Sequence, residues 1–177
     1  MTRIPLLTMR AGLSAEQQPV YDAIVASRGG VRGAFPVLLH RPGVAAPAER
    51  LGDYVRFRTG LDAPLREAVQ LLTAALLDAE YELASHRRLA AEAGLAADTI
   101  TQLAAGRIDD LQGDIGLAVR FTRALLVTHR VPDPLFAKAR TCFGTDRLVD
   151  LAALIGYYAF ACTIQNAFGI EPPAAAS

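Results

Sequence analysis

A chain of 177 residues with 18 basic and 18 acidic side chains has no net charge, so it lacks the electrostatic footprint that nucleic acid or an anionic membrane surface requires. Its length suits one compact domain over residues 1–177, and its 52% hydrophobic content is spread as periodic Ala, Leu and Val broken by charges. No apolar run approaches a bilayer span, which argues against a membrane protein.

That aliphatic surplus is more than the interior of a helical domain this size can hide, and it points to a homo-oligomer. The opening MTRIPLLTMRAGLSAEQQPV turns polar too soon for a secretory signal, so a cytoplasmic location is expected. Cys142 and Cys162 belong to no CxxC pair or ligand cluster, and both read as buried small hydrophobes.

In chain order, Ser14 and Gln17 form a capping-box pattern that opens a helix over 15–27, and RGGVRGAFP then reads as a loop. A short FPVLLHRPGVA piece lies between prolines, followed by a helix over 45–58 closed by TGLDAP. Pro64 suits the first turn of the next helix, LREAVQLLTAALL, whose apolar spacing predicts burial on one side. Asp78 then reads as the cap of EYELASHRRLAAEAG, which Gly94 ends, and Asp98 as the cap of DTITQLAAG, also ended by glycine.

Three more helices are expected over 114–128, 133–142 and 146–168, each opened by an aspartate, with His129 as a favourable charge at a helix end. The tail over 171–177 reads as loose. No alternating pattern competes with the helical period. The fold class is therefore all-α: a single-domain helical bundle with a central helical hairpin.

The stretch EYELASH carries the chemistry. Glu82 and His86 lie four residues apart and project from the same helix face, in the company of Ala79, Leu83 and Ala90. A carboxylate next to an imidazole orients the ring and stabilises its charged form, which suits proton transfer near neutral pH without a metal. The competing reading is an ordinary ion pair on a solvated face, contributing roughly 0.2–0.5 kcal/mol. A third group, Glu67, would sit roughly 22 Å from Glu82 if residues 64–94 formed one straight helix. A turn near Asp78 that folds the segment into an antiparallel hairpin would bring the two nearer, at an angle the sequence does not fix. No HExxH or similar ligand set is present, so no metal site is expected.

The segment LREAVQLLTAALLDAEYELASHRRLAAEAGLAADTI resembles the core of the carboxymuconolactone decarboxylase family, which includes the alkylhydroperoxidase D-like proteins. The resemblance is strongest over about 61–105 and extends through the flanks to the longer, cysteine-less members. It implies the alkylhydroperoxidase D-like helical fold and assembly as trimers or hexamers. Peroxidase members carry CxxCxxxH, and aligned on His86 their two cysteines fall at Ala79 and Glu82, which implies loss of the thiol cycle. Glu67 falls at the family's upstream glutamate.

The decarboxylase branch, with its Glu-x-x-x-His pair, is the better match. The resemblance implies a lyase that needs no cofactor, removing carbon dioxide from a small carboxylated or lactone-like compound in the breakdown of aromatic molecules. Glu82, His86 and Glu67 would move the proton, and Arg32, Arg66 and His40 would hold substrate, with Tyr81 and Tyr158 lining the pocket. Tyr157 joins Tyr158 as a mark of the longer group. Two other classes of function compete: a non-catalytic small-molecule-binding or assembly protein, and a residual peroxidase working through Cys142 or Cys162.

Overall fold

A computed structural model describes residues 2–172, and every regular element among them is helical. The elements are α1 (Gln17–Arg28), α2 (Phe35–Leu38), α3 (Pro42–Phe57), α4 (Ala63–Leu76), α5 (Glu80–Glu92), α6 (Ala97–Ala104), α7 (Gly113–Arg123), a π-helical turn (Ala124–Thr128) and α8 (Asp133–Phe168). Of the tail over 171–177, residues 173–177 lie outside the described residues.

Local signals set several boundaries. The capping box ahead of α1 closes in both directions: the Gln17 N–H donates to Ser14 Oγ at 3.3 Å and the Ser14 N–H to Gln17 Oε1 at 2.8 Å. Pro64 occupies the first turn of α4, where its missing N–H costs nothing. Gly94 and Gly106 follow α5 and α6 with left-handed φ of 89° and 69°. His129, also left-handed at φ 61°, follows the π-helical turn.

The aspartates behave otherwise than the sequence suggests. Asp78 does not cap α5; it terminates α4. It adopts φ 51°, the Ala79 N–H donates back to the Ala74 carbonyl at 2.9 Å, and the Asp78 N–H to that of Ala75 at 3.3 Å. This is a Schellman ending with aspartate where glycine is usual, and it reverses the chain into the α4/α5 hairpin. Asp98 and Asp114 lie in the first turns of α6 and α7, with no side-chain cap, where they complement the helix dipole. Asp133 opens α8 in the same way, while Asp146 sits within α8, because the two expected helices 133–142 and 146–168 join across a break at Gly144 (φ 73°, ψ 173°).

α4 is the centre of the bundle and packs against α5, α6, α7 and α8. Residues 68–74 are all buried, so this helix is enclosed on every side, not one. Val69 joins Val55, Phe121, Leu151 and Leu154 in one apolar cluster, while Leu71 and Leu72 join Leu103 and Val119 in another. Although no span was evident in the residues, α8 is long and apolar enough to cross a membrane; 56% of its most apolar window is buried inside this bundle.

The α3–α8 seam is unusually close. A Cβ at Gly52 would stand 2.1 Å from the Tyr157 hydroxyl, on a ring that is itself buried. Asp150 binds the seam further along α8, accepting from the Tyr54 hydroxyl at 2.8 Å and from the Gly60 N–H at 3.1 Å. We expect Gly52→Ala to force α3 and Tyr157 apart and lower stability by about 2 kcal/mol or more in urea denaturation; an unchanged midpoint would contradict this packing.

Candidate active site

The hairpin turn at Asp78 lays α5 against α4 and places His86 over the second turn of α4. His86 Nδ1 lies 2.7 Å from Glu67 Oε2, and its Nε2 lies 2.9 Å from Glu82 Oε2. The three side chains expected to handle protons therefore form one chain, Glu67–His86–Glu82. It is largely withdrawn from solvent, with side-chain exposures of 15%, 4% and 10%. The solvated-face reading of the Glu82–His86 pair fails on that burial.

A neutral imidazole has one N–H donor, so hydrogen bonds from both ring nitrogens to carboxylates require the imidazolium form or a proton on one carboxyl. Burial pushes the His86 pKa down. The hydrogen bonds and charges of Glu67 and Glu82 outweigh it and carry the pKa from 6.5 to about 9. Burial likewise opposes ionisation of Glu82, but the His86 bond and charge, the Gln165 amide and the Arg56 charge hold its carboxyl below the usual range.

The surroundings fix the ring. Tyr158, buried on α8, meets His86 edge to face with centroids 5.1 Å apart, and burial pushes its phenol well above its ordinary pKa. The Gln165 amide N–H₂, also from α8, donates to Glu82 Oε1, while Gln165 Oε1 is buried with no hydrogen-bond partner among the described residues. The loop after α1 closes over this end: the Gly33 N–H donates to the Tyr81 hydroxyl at 3.1 Å, and a Cβ at Gly33 would stand 3.3 Å from Gln165 Nε2 and 3.8 Å from Glu82 Oε1.

Tyr81 and Tyr158 thus stand at the cluster. Arg32 is exposed and folds back toward Gly30, and its charge acts on Tyr81. Arg66 donates to the Leu61 carbonyl at the start of its own helix, pointing to a structural use. His40 is exposed, with Nε2 2.8 Å from the Pro5 carbonyl, and makes no hydrogen bond, ion pair or ring contact with the cluster. Sequence reasoning missed Gln165 and Gly33. The seven-residue spacing from Tyr158 to Gln165 puts both on one face of α8 and was the available signal for the first.

The cysteines divide. Cys162 is buried against Ala74 and Ala79, and burial pushes its thiol up to about 12, with the Glu82 charge adding to the effect. Cys142, expected to be buried, is exposed; its thiol donates to Asp114 Oδ1 at 3.2 Å, and that bond raises its pKa. Neither environment favours a reactive thiolate. No group of three or more His, Cys, Asp or Glu among the described residues is arranged to hold a metal ion. Two open surface concavities lie elsewhere: about 1020 Å³ beside Glu49, Tyr54 and Phe57, and about 590 Å³ beside Asp114, Lys138 and Cys142.

Residues 42–119 match the model of the carboxymuconolactone decarboxylase family. An uncharacterized peroxidase-related protein from Ralstonia eutropha JMP134, described as an alkylhydroperoxidase AhpD core, has the same fold, with a TM-score of 0.80 at 20% identity over 98% of this chain and 93% of that one. A peroxidase-related protein from Silicibacter sp. TM1040 gives 0.78 at 14% identity over 98% and 94%. The debrominase Bmp8, as a variant in complex with 2,3,4-tribromopyrrole, gives 0.70 at 14% identity over 98% and 95%. At these identities the likeness is one of fold. No curated protein matches the sequence.

Linkage gives the site a pH signature. The raised His86 pKa contributes stability that is complete below pH 6.5 and is lost as pH rises through about 9. The depressed Glu82 contributes stability that is present above its ordinary value of 4.5 and is lost on acidification below it. Between pH 6.5 and 9.5 the wild type should lose about 3 kcal/mol relative to His86→Gln. Chemical denaturation across that range measures it, and parallel curves for the two proteins would refute the bridged geometry.

Proposed function

We propose, from the match of residues 42–119 to the model of the carboxymuconolactone decarboxylase family, that the chain belongs to that family and performs cofactor-independent acid/base chemistry, decarboxylation or isomerisation, on a small carboxylated or lactone-like compound. The observation that carries this reading is the buried imidazole held between two carboxylates at 2.7 and 2.9 Å.

Decarboxylation breaks the bond between a carbon and its carboxylate, releases carbon dioxide and leaves an electron pair on that carbon. An adjacent unsaturated lactone spreads the pair as an enolate, and a positioned acid must then deliver a proton. The protonated His86 holds that proton, and the ionised Glu82, with Tyr81, Gly33 and Gln165 gathered around it, fits the inner end of the relay by accepting the proton from His86 and passing it to the carbon. Glu67, the most exposed of the three, fits the outer end, where solvent resupplies the proton through His86. Isomerisation needs the same groups, with the proton first taken from one carbon and returned to another.

A thiol peroxidase is the weaker reading despite the peroxidase-related neighbours, since Ala79 and Glu82 stand where the resemblance places the two cysteines. Self-association belongs to the same proposal: Val44, Leu51, Tyr54 and Phe57 on α3 are exposed apolar side chains suited to a trimer or hexamer. A cytoplasmic location is likewise proposed.

Assay of carboxylated unsaturated lactones for carbon dioxide release should show that His86→Gln and Glu82→Gln each lower kcat by about 100-fold or more. Glu67→Gln should lower it less and alter its pH profile. Turnover indifferent to His86→Gln refutes the relay, and ligand binding without product in the wild type favours a binding protein.

A further inference from the structure

Glu82 and His86 are buried, so any guest reaches them only when part of the enclosure opens. The helices are poor candidates for that movement: α3 and α8 meet closely at Gly52 and Tyr157, and α4 is packed on by four others. The loop between α1 and α2 is built differently. Residues 29–34 include three glycines, and two of them, Gly29 and Gly33, have left-handed φ of 72° and 63°. Glycine leaves such angles for others at little cost, so the loop has a pivot near each end.

The base of the loop is clasped independently of its span. Arg28, just before the first pivot, lays its guanidinium 4.4 Å over the ring of Phe35, just after the second, and its Nη2 donates to the Glu49 carbonyl at 3.3 Å. Ala34 and Phe35 are buried. A span closed at its base in this way can swing without unfolding α1 or α2. The span itself is lightly held. Among the described residues, one hydrogen bond joins residues 30–33 to the hairpin, from the Gly33 N–H to the Tyr81 hydroxyl at 3.1 Å. Val31 adds only a half-buried side chain against the cluster of Ile24, Phe35 and Leu39. What the span covers is the inner end of the relay: a Cβ at Gly33 would stand 3.3 Å from Gln165 Nε2 and 3.8 Å from Glu82 Oε1.

We propose that residues 29–33 form a gate over Glu82, latched by the Tyr81 hydroxyl, through which a small polar guest enters. A guest that hydrogen-bonds the Tyr81 hydroxyl competes directly with Gly33 and releases the loop beside the carboxylate it is to meet. The gate concerns access alone and does not depend on the reaction that follows.

Hydrogen exchange followed by nuclear magnetic resonance tests this without a substrate. The side-chain N–H₂ of Gln165 lies beneath the loop and reports its opening, while that of Asn166, bound to the Leu77 carbonyl at 2.7 Å, is the neighbouring control. Tyr81→Phe should speed exchange of both the Gly33 amide and the Gln165 N–H₂ by about tenfold and leave Asn166 and the Leu71 amide in α4 unchanged. Gly30→Ala, whose added methyl meets the flexible Arg32 side chain at 3.4 Å, should stiffen the open loop and slow the same two exchanges by about two- to fivefold. Gly33→Ala places a methyl on left-handed backbone against Gln165 and should prop the loop open, so it carries the test if Tyr81→Phe does not fold. A Gln165 N–H₂ whose exchange ignores both Tyr81→Phe and Gly33→Ala, or that speeds only together with Asn166 and Leu71, overturns the gate. Lactones left unconverted by the wild type would remove the acid/base reading and leave this result standing.

Discussion

Two carboxylates from different helices bracket one buried imidazole, and much of the fold can be understood as holding them there. Bringing charged groups out of water costs several kcal/mol each, which their mutual attraction recovers only with good geometry and complete hydrogen bonding. Here both ring nitrogens are used, and Glu82 receives a further bond from Gln165. Removing either carboxylate would leave the imidazolium short of a partner, a change that costs about 3–5 kcal/mol in buried pairs generally. These demands on stability support the proposal that the arrangement moves protons.

Three constraints maintain that geometry. The left-handed Asp78 ends α4 and turns α5 back along it, converting a separation of nineteen positions in sequence, from Glu67 to His86, into a hydrogen bond. The enclosure of α4 by four other helices fixes Glu67. α8 brings Tyr158 to the ring edge and Gln165 to the far oxygen of Glu82, and the bare backbone at Gly52 allows α3 to approach that helix. The site is therefore a product of the whole bundle, although Glu67, Glu82 and His86 lie on one hairpin.

Much of this is legible in the residues. Helical periodicity and glycine stops give the all-α class and most boundaries, and the Glu82–His86 spacing with a turn near Asp78 singles out the three residues that meet, though not the angle at which the hairpin brings them together. What is not legible depends on distant contacts. Asp78 shows how a residue that commonly opens helices can close one when its short side chain tolerates left-handed backbone. Arg32 and Arg66 attract attention because they lie close in sequence to a glycine-rich loop and to Glu67, yet one is exposed and the other serves its own helix end. Gln165 reaches the site through packing of α8 on the hairpin, and no local pattern announces such packing. Cys142 looks like a core residue by type and lies instead on an exposed face.

The most direct test is to titrate the His86 ring by nuclear magnetic resonance, observing both ring nitrogens in protein labelled at histidine. The bridged relay predicts that both nitrogens carry protons at neutral pH and that the ring loses one only near pH 9. A ring that titrates near 6.5 with one bare nitrogen at neutral pH would mean that Glu67 and Glu82 do not share it, and the central claim would fall.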